Sequence, residues 1–226
     1  MRYILVMSGK GGVGKTSVAC NLAATLASMG YKVGFIDADL YGPNSHILLG
    51  LPEDMVYEDL GTKKLVPAKT RHGIEFMSIA QVLPRGTGLN LPAEKIRDII
   101  LTMLKFVEWR SEYLVIDCPP GSLDVNLTLL EQLQNRASTV FVMQPHPMAL
   151  EDLLRIVDVV KLYDIRSLAV VINMYNLFPE GFRQRIWEEL EGRNIGYIIE
   201  IPWDQDLVIG VHPEKEYFKK LAEVIV

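Results

Sequence analysis

A chain of 226 residues has the length of one α/β domain, and its 49% hydrophobic content supplies apolar surface for a substantial core, which excludes a disordered protein. A formal net charge of -5, a sequence pI near 5.4 and the lack of any long Lys/Arg run exclude nucleic acid as the main partner. The two cysteines, Cys20 and Cys118, are too far apart for a disulfide scaffold, and no run reaches the roughly 18 apolar residues of a membrane span; with no signal-peptide pattern in MRYILVMSGKGG, a cytoplasmic protein without a stable membrane anchor is expected.

In chain order, Tyr3 to Met7 reads as a strand, a glycine loop follows, and Lys15 to Met29 reads as a helix, which together make a βα unit. Val33 to Ile36 is a second short β-branched run. The segment from Tyr41 to Arg71 is rich in Gly and Pro and reads as an irregular insertion or a long connection, with Lys63 to Val66 as a candidate edge strand or hairpin. Further buried strands are expected at Ile74 to Ile79, Tyr113 to Ile116, Thr139 to Met143, Leu168 to Ile172 and Tyr197 to Ile201. Between them, Ala93 to Trp109, Asp124 to Gln134, Ala149 to Tyr163 and Glu180 to Glu191 space apolar residues by three and four, as crossover helices do. The pattern implies a single three-layer αβα domain over residues 1–226, with a mostly parallel sheet covered on both faces.

Residues Gly9 to Thr16, GKGGVGKT, match the phosphate-binding pattern G-x-x-x-x-G-K-[ST] and lie between a strand and a helix, where the mechanism requires them. Gly9, Gly11, Gly12, Val13 and Gly14 let backbone N–H groups wrap a triphosphate, with Ser17 in the first turn of the helix behind them. Lys15 is placed to reach the β- and γ-phosphates, and Thr16 to offer its hydroxyl to Mg²⁺, so ATP and Mg²⁺ are the expected ligands. Asp37 and Asp39 close the second strand at its C-terminal end, where ligands gather in open α/β sheets and two carboxylates invite metal or water chemistry, with Asp39 a candidate Mg²⁺ ligand, although either could be a turn or capping residue. Asp117 ends the apolar strand Tyr113 to Ile116 as a Mg²⁺-holding acid does, and Gly121 follows as a candidate γ-phosphate sensor.

The second lysine of the loop, Lys10, begins a resemblance: GKGGVGKT is similar to the deviant phosphate loop of the MinD/ParA/Mrp class of dimeric ATPases. DADLYGPNSHILLG and DCPPGSLDVNLTLLE resemble the DADxYGPSxPxxLG and DxPPGTxDxxLTL segments of its Mrp subfamily. The resemblance runs from Met1 to about Asn173. It implies an ATP-dependent homodimer in which Lys10 acts on the nucleotide held by the partner subunit, and it gives Asp39 the attacking water to orient. It also implies that Asn173 and the segment Pro202, Trp203 and Asp204 hold the adenine. A turn role for Asn173, plain packing for Trp203 and a solvated Lys10 are the competing readings.

Iron–sulfur carriers of the Mrp type place a C-x-x-C pair shortly after an Asn-Met dipeptide, whereas the segment here reads NMYNLFPEGF and contains no cysteine. Cys118 beside Asp117 could touch a metal transiently, although a buried small thiol is the commoner case, and His46, His72, His146 and His212 show no ligand spacing. The resemblance therefore implies a slowly hydrolysing ATPase that assists metallocofactor assembly. Its work would be iron–sulfur protein maturation, or nickel insertion for nickel–iron hydrogenases as in the archaeal HypB branch, with a protein client or a small metal-binding accessory protein as partner. The alternative is a MinD- or ParA-like positioning ATPase, which needs a membrane-binding tail or a basic face; the terminal EYFKKLAEVIV reads more simply as a closing helix. A kinase or transferase using the same loop is a third reading, because the loop alone does not name the acceptor.

Overall fold

A computed structural model describes residues 1–39, 42–52, 64–78, 92–121 and 123–226. The strands are β1 (Arg2–Met7), β2 (Val33–Asp37), β3 (Ala68–Lys69), β4 (Glu75–Ser78), β5 (Tyr113–Asp117), β6 (Ala137–Met143), β7 (Arg166–Asn173) and β8 (Tyr197–Ile201). The helices are α1 (Lys15–Ser28), α2 (Ser45–Leu48), α3 (Ala93–Lys105), α4 (Leu123–Leu133), α5 (Pro147–Lys161), α6 (Glu180–Glu191) and α7 (Glu216–Ile225), with short 3₁₀ turns at Tyr175–Leu177 and Gln205–Val208. The strands form one eight-stranded sheet in the order β3-β4-β2-β5-β1-β6-β7-β8, parallel throughout except for the antiparallel β3–β4 edge.

Strands buried on both faces need apolar side chains in both directions, which is why they read as continuous runs rather than alternating ones. Along β1, Leu5 and Met7 join the core beneath α3, α4, α5 and α6, while Ile4 and Val6 join the core beneath α1 and α7. Helix α1 lies over the sheet with Ala19, Ala23 and Ala24 buried, small residues that let its backbone approach closely. Helix α7 buries Phe218, Leu221, Ala222 and Ile225, so the apolar face of the terminal segment is spent closing the core. Among the described residues, no helix is long and apolar enough to cross a membrane.

Two boundaries differ from the sequence reading. Helix α3 ends at Lys105 rather than Trp109, because Val107 forms a parallel bridge with Leu65 while Phe106 O and Glu108 N both bond the Leu65 backbone at 2.9 Å. The edge strand expected at Lys63 to Val66 is instead the Ala68–Lys69 pair against β4; Lys63 lies outside the described residues. Of the segment from Tyr41 to Arg71, Tyr41 and residues 53–63 also lie outside them, as does Ile79 of the fourth strand as expected. The remaining elements match to within a residue or two. They carry the ends of β1, β2, β5, β7 and β8 to one edge of the sheet, the edge where parallel α/β sheets bind ligands.

Candidate nucleotide-binding site

The loop between β1 and α1 is shaped by glycine. Gly12 and Gly14 have φ of 80° and 85°, left-handed conformations in which a side chain costs energy. Gly14 is constrained twice, since a Cβ there would lie 2.2 Å from Asn173 Nδ2, and that amide donates to the Val13 carbonyl at 2.8 Å. Gly9 is constrained by packing: its Cβ would lie 2.8 Å from the Asp152 backbone in α5. Among the described residues, Gly11 faces the Pro120 ring. The half-exposed Lys10 contributes its carbonyl to the Ser8 hydroxyl at 3.0 Å. Helix α1 then starts at Lys15 with no side chain capping its N-terminus, which leaves its first N–H groups and the positive end of its dipole for an anion.

Below this cradle lies a buried cluster of charge. Lys15 donates to Asp117 Oδ1 in an ion pair sealed from solvent, and Asp37, next to Asp117 across the β2–β5 pair, is equally buried. Burial lowers the affinity of Lys15 for its proton, but Asp117 outweighs it by charge and hydrogen bonding, so the lysine pKa rises and the ammonium persists. Burial pushes the Asp117 carboxyl above its ordinary range against the pull of Lys15 and of the Thr16 side chain. Asp37 is pushed up to about 7, first by burial and then by repulsion from Asp117, even though Ser45 and the Asp39 N–H donate to it. Asp39, at the next turn, is half-buried and accepts from Gly42 N at 3.2 Å.

Two acids facing one lysine leave an excess of negative charge, and Asp117 Oδ2 is a buried oxygen without a hydrogen-bond donor among the described residues. That oxygen and the Thr16 hydroxyl, which also acts on the Asp117 carboxyl, are hard donors of the kind that suit Mg²⁺. Among the described residues no three His, Cys, Asp or Glu side chains gather closely enough to hold a metal alone, so a cation here would draw also on Thr16, phosphate and water, as Mg²⁺ does. Cys118 is buried, and burial pushes its thiol up, as an inert core thiol requires. Gly121, with φ of 57°, stands exposed beyond the end of β5.

On the other side of the loop, Gly14, Ser17, Asn173, Pro202, Trp203 and Asp204 line one cavity of about 240 Å³, brought together from α1, β7 and the loop after β8. Sequence reasoning had not included Leu48, Met174, Leu207 and Val208, which complete its walls. The Asp204 carboxylate is taken up by Lys215 at 2.7 Å, the Tyr217 hydroxyl at 2.8 Å and Asp206 N at 3.0 Å, and the Lys215 ammonium holds it below the usual carboxylate range. Trp203, 43% exposed, is held by its backbone N–H, which donates to Asn176 Oδ1 at 2.6 Å. Asn176, Lys215 and Tyr217 have no local sequence signal, because their roles arise only when the loop folds back. A larger cavity of about 500 Å³, lined by Arg2, Arg136 and Arg166, opens at the N-terminal ends of the strands, away from the cradle.

A parallel α/β sheet with a glycine loop, an inward lysine and acids at the neighbouring strand ends defines a P-loop NTPase, of the fold that MinD and ParA share. The chain belongs to the ParA family described as the NUBPL iron-transfer P-loop NTPase, whose family model matches residues 1–219. It is 36% identical to the iron–sulfur cluster carrier protein of Deinococcus radiodurans over 98% of this chain and 67% of that one. With the carrier of Pyrococcus abyssi the figures are 32% over 99% and 85%. A nucleotide-binding protein from Archaeoglobus fulgidus, solved in complex with ADP, is 32% identical with a TM-score of 0.71, covering 99% of this chain and 87% of its own. MinD from Pyrococcus horikoshii, complexed with Mg-ADP, superposes with a TM-score of 0.76 over 99% of this chain and 95% of its own; at 22% identity it shows the shared fold.

Proposed function

We propose that this chain binds MgATP, hydrolyses it slowly as an ATP-dependent homodimer, and uses that cycle as an accessory factor in assembling metal-containing proteins. The observation that carries this reading is the glycine cradle set directly over Lys15 and the donor-poor oxygen of Asp117. In the proposed site the loop amides and α1 bind the phosphates, and Lys15 exchanges Asp117 for a phosphate oxygen. Thr16 and Asp117 hold Mg²⁺, with Asp39 on the same side, and the 240 Å³ cavity takes the adenine. Mg²⁺ when bound would neutralise charge developing on the phosphates. Asp39 orients the attacking water, and Lys10 acts across the dimer.

The names of the relatives support iron–sulfur protein maturation as the setting. Because the sequence holds no cysteine after Cys118, the thiolates for a cluster would come from a client or a small metal-binding partner. The same missing pair favours a second reading, nickel insertion for nickel–iron hydrogenases. A lipid-bound positioning role is less favoured, because α7 keeps its apolar face in the core.

Isothermal titration with MgATP is expected to show binding that Lys15→Ala abolishes, and Asp39→Ala should bind while releasing phosphate more slowly. Light scattering of the Asp39 variant with MgATP is expected to give a dimer. Metal analysis of clients captured on that variant separates iron from nickel. Unchanged phosphate release in the Asp39 variant would remove Asp39 from the chemistry, and a parent that binds no nucleotide would end the whole reading.

A further inference from the structure

The end of β2 is tied to α2 by one buried residue that the sequence does not single out. Asp37 accepts from Asp39 N at 3.1 Å through Oδ1, and through Oδ2 from Ser45 N at 3.2 Å and from the Ser45 hydroxyl. Ser45 has no solvent exposure; its carbonyl receives Leu49 N at 3.0 Å and is approached by the Cys20 thiol of α1 at 3.9 Å. Three residues on, Leu48 of the same one-turn helix lines the 240 Å³ cavity. Ser45 is thus the junction of the acid cluster, the helix behind the phosphate loop and the proposed base cavity. A carboxylate free to rotate at Asp37 would release both the Asp39 backbone and α2, and among the described residues the Ser45 hydroxyl is the side-chain donor that fixes it.

We propose that Ser45 is a positioning residue for the hydrolytic step, holding the Asp37 carboxylate and through it the backbone of Asp39. This rests on the ATPase reading above. The role is orientation, so its loss falls on turnover rather than on nucleotide capture.

The test uses steady-state phosphate release with the full chain and MgATP, beside nucleotide titration and thermal unfolding for every variant. Ser45→Ala is expected to lower kcat by about 10- to 100-fold, the range of a lost charge-assisted bond, with KM for ATP near the parent value. Ser45→Cys keeps the size of the side chain and weakens the donor, so kcat should fall with the melting temperature held. Ser45→Thr keeps the hydroxyl and should recover most of the rate. A kcat equal to the parent in Ser45→Ala overturns the inference, and so does an equal fall in the Ala and Thr variants that tracks lost stability. A parent that binds MgATP and shows no turnover overturns the inference together with the hydrolytic reading, and a loss confined to the Ser45 variants supports both.

Discussion

Replacing Lys15 by Met removes the cation from a buried ion pair and leaves Asp117 facing Asp37 across the β2–β5 pair with no counter-charge. Breaking one side of such a pair costs about 3–5 kcal/mol, because the remaining charge stays out of water. For a chain of this size each kcal/mol lowers the melting temperature by about 2–4 °C, so the nucleotide-free variant should unfold roughly 6–20 °C below the parent. Protonation of an acid relieves part of the loss. Asp117 is already pushed upward by burial, and without Lys15 it rises further, so the deficit should be smaller near pH 5 than near pH 8.

The pair Lys15→Met and Asp117→Leu together replaces ions by apolar groups of similar bulk, and such swaps are often neutral. The double variant should therefore recover most of the stability that the single variant loses. Circular dichroism melts of nucleotide-free protein at both pH values provide the measurement. A single variant within a degree of the parent at pH 8, or a double variant no better than the single, would show that Lys15 does not rest on Asp117.

Stability should also depend on pH through Asp37. Its folded pKa is raised from 3.8 to about 7, so between those values the folded state holds more protons than the unfolded one. The contribution of Asp37 to stability therefore falls as pH rises from about 4 to 7 and stays lost above that, a swing on the order of 4 kcal/mol at most. Urea titrations across this window should show a flatter profile in Asp37→Asn; an identical profile would contradict the assignment. Gly14→Ala should destabilise through both its φ of 85° and the 2.2 Å approach to Asn173 Nδ2. In Gly14→Ala with Asn173→Ala, that clash is gone, so the two losses should add to less than their sum, and strict additivity in a double-mutant cycle would refute the contact.

Much of the architecture was legible because a parallel sheet writes itself in runs such as YILVM and YLVID, and the phosphate loop is a local motif whose glycines answer to local backbone needs. The places where reading failed are those where a distant partner decides. Helix α3 stops at Lys105 because Leu65 claims the next residues, and nothing in KFVEW announces that bridge. Asp204 is a candidate for base contact by position, yet its carboxylate belongs to Lys215 and Tyr217, more than ten residues later. Asn173 lines the cavity, and its amide nitrogen is given to the phosphate loop. Ser45 has only its burial and its partner to distinguish it.

The same bonds distinguish the two halves of the proposed site. The wall of the 240 Å³ cavity is fastened to the phosphate loop and α1 by Asn173 to Val13 O at 2.8 Å, by the Ser17 hydroxyl to Leu207 O at 3.3 Å and by His212 N to Asn21 Oδ1 at 2.6 Å. A cavity held this way needs little ordering to take a base. The phosphate side is different, because in the proposed site Lys15 turns from Asp117 to a phosphate oxygen. When Lys15 turns to the nucleotide, Asp117 is left buried without its counter-ion unless a cation arrives with the phosphate. Nucleotide and Mg²⁺ should accordingly bind with positive coupling, on the order of 100-fold in affinity if the stranded acid costs about 3 kcal/mol. Titrating ADP with Mg²⁺ and with a chelator measures that ratio. In Asp117→Asn the stranded charge is gone and the ratio should shrink toward one, whereas a parent affinity indifferent to Mg²⁺ would mean that Lys15 never leaves Asp117.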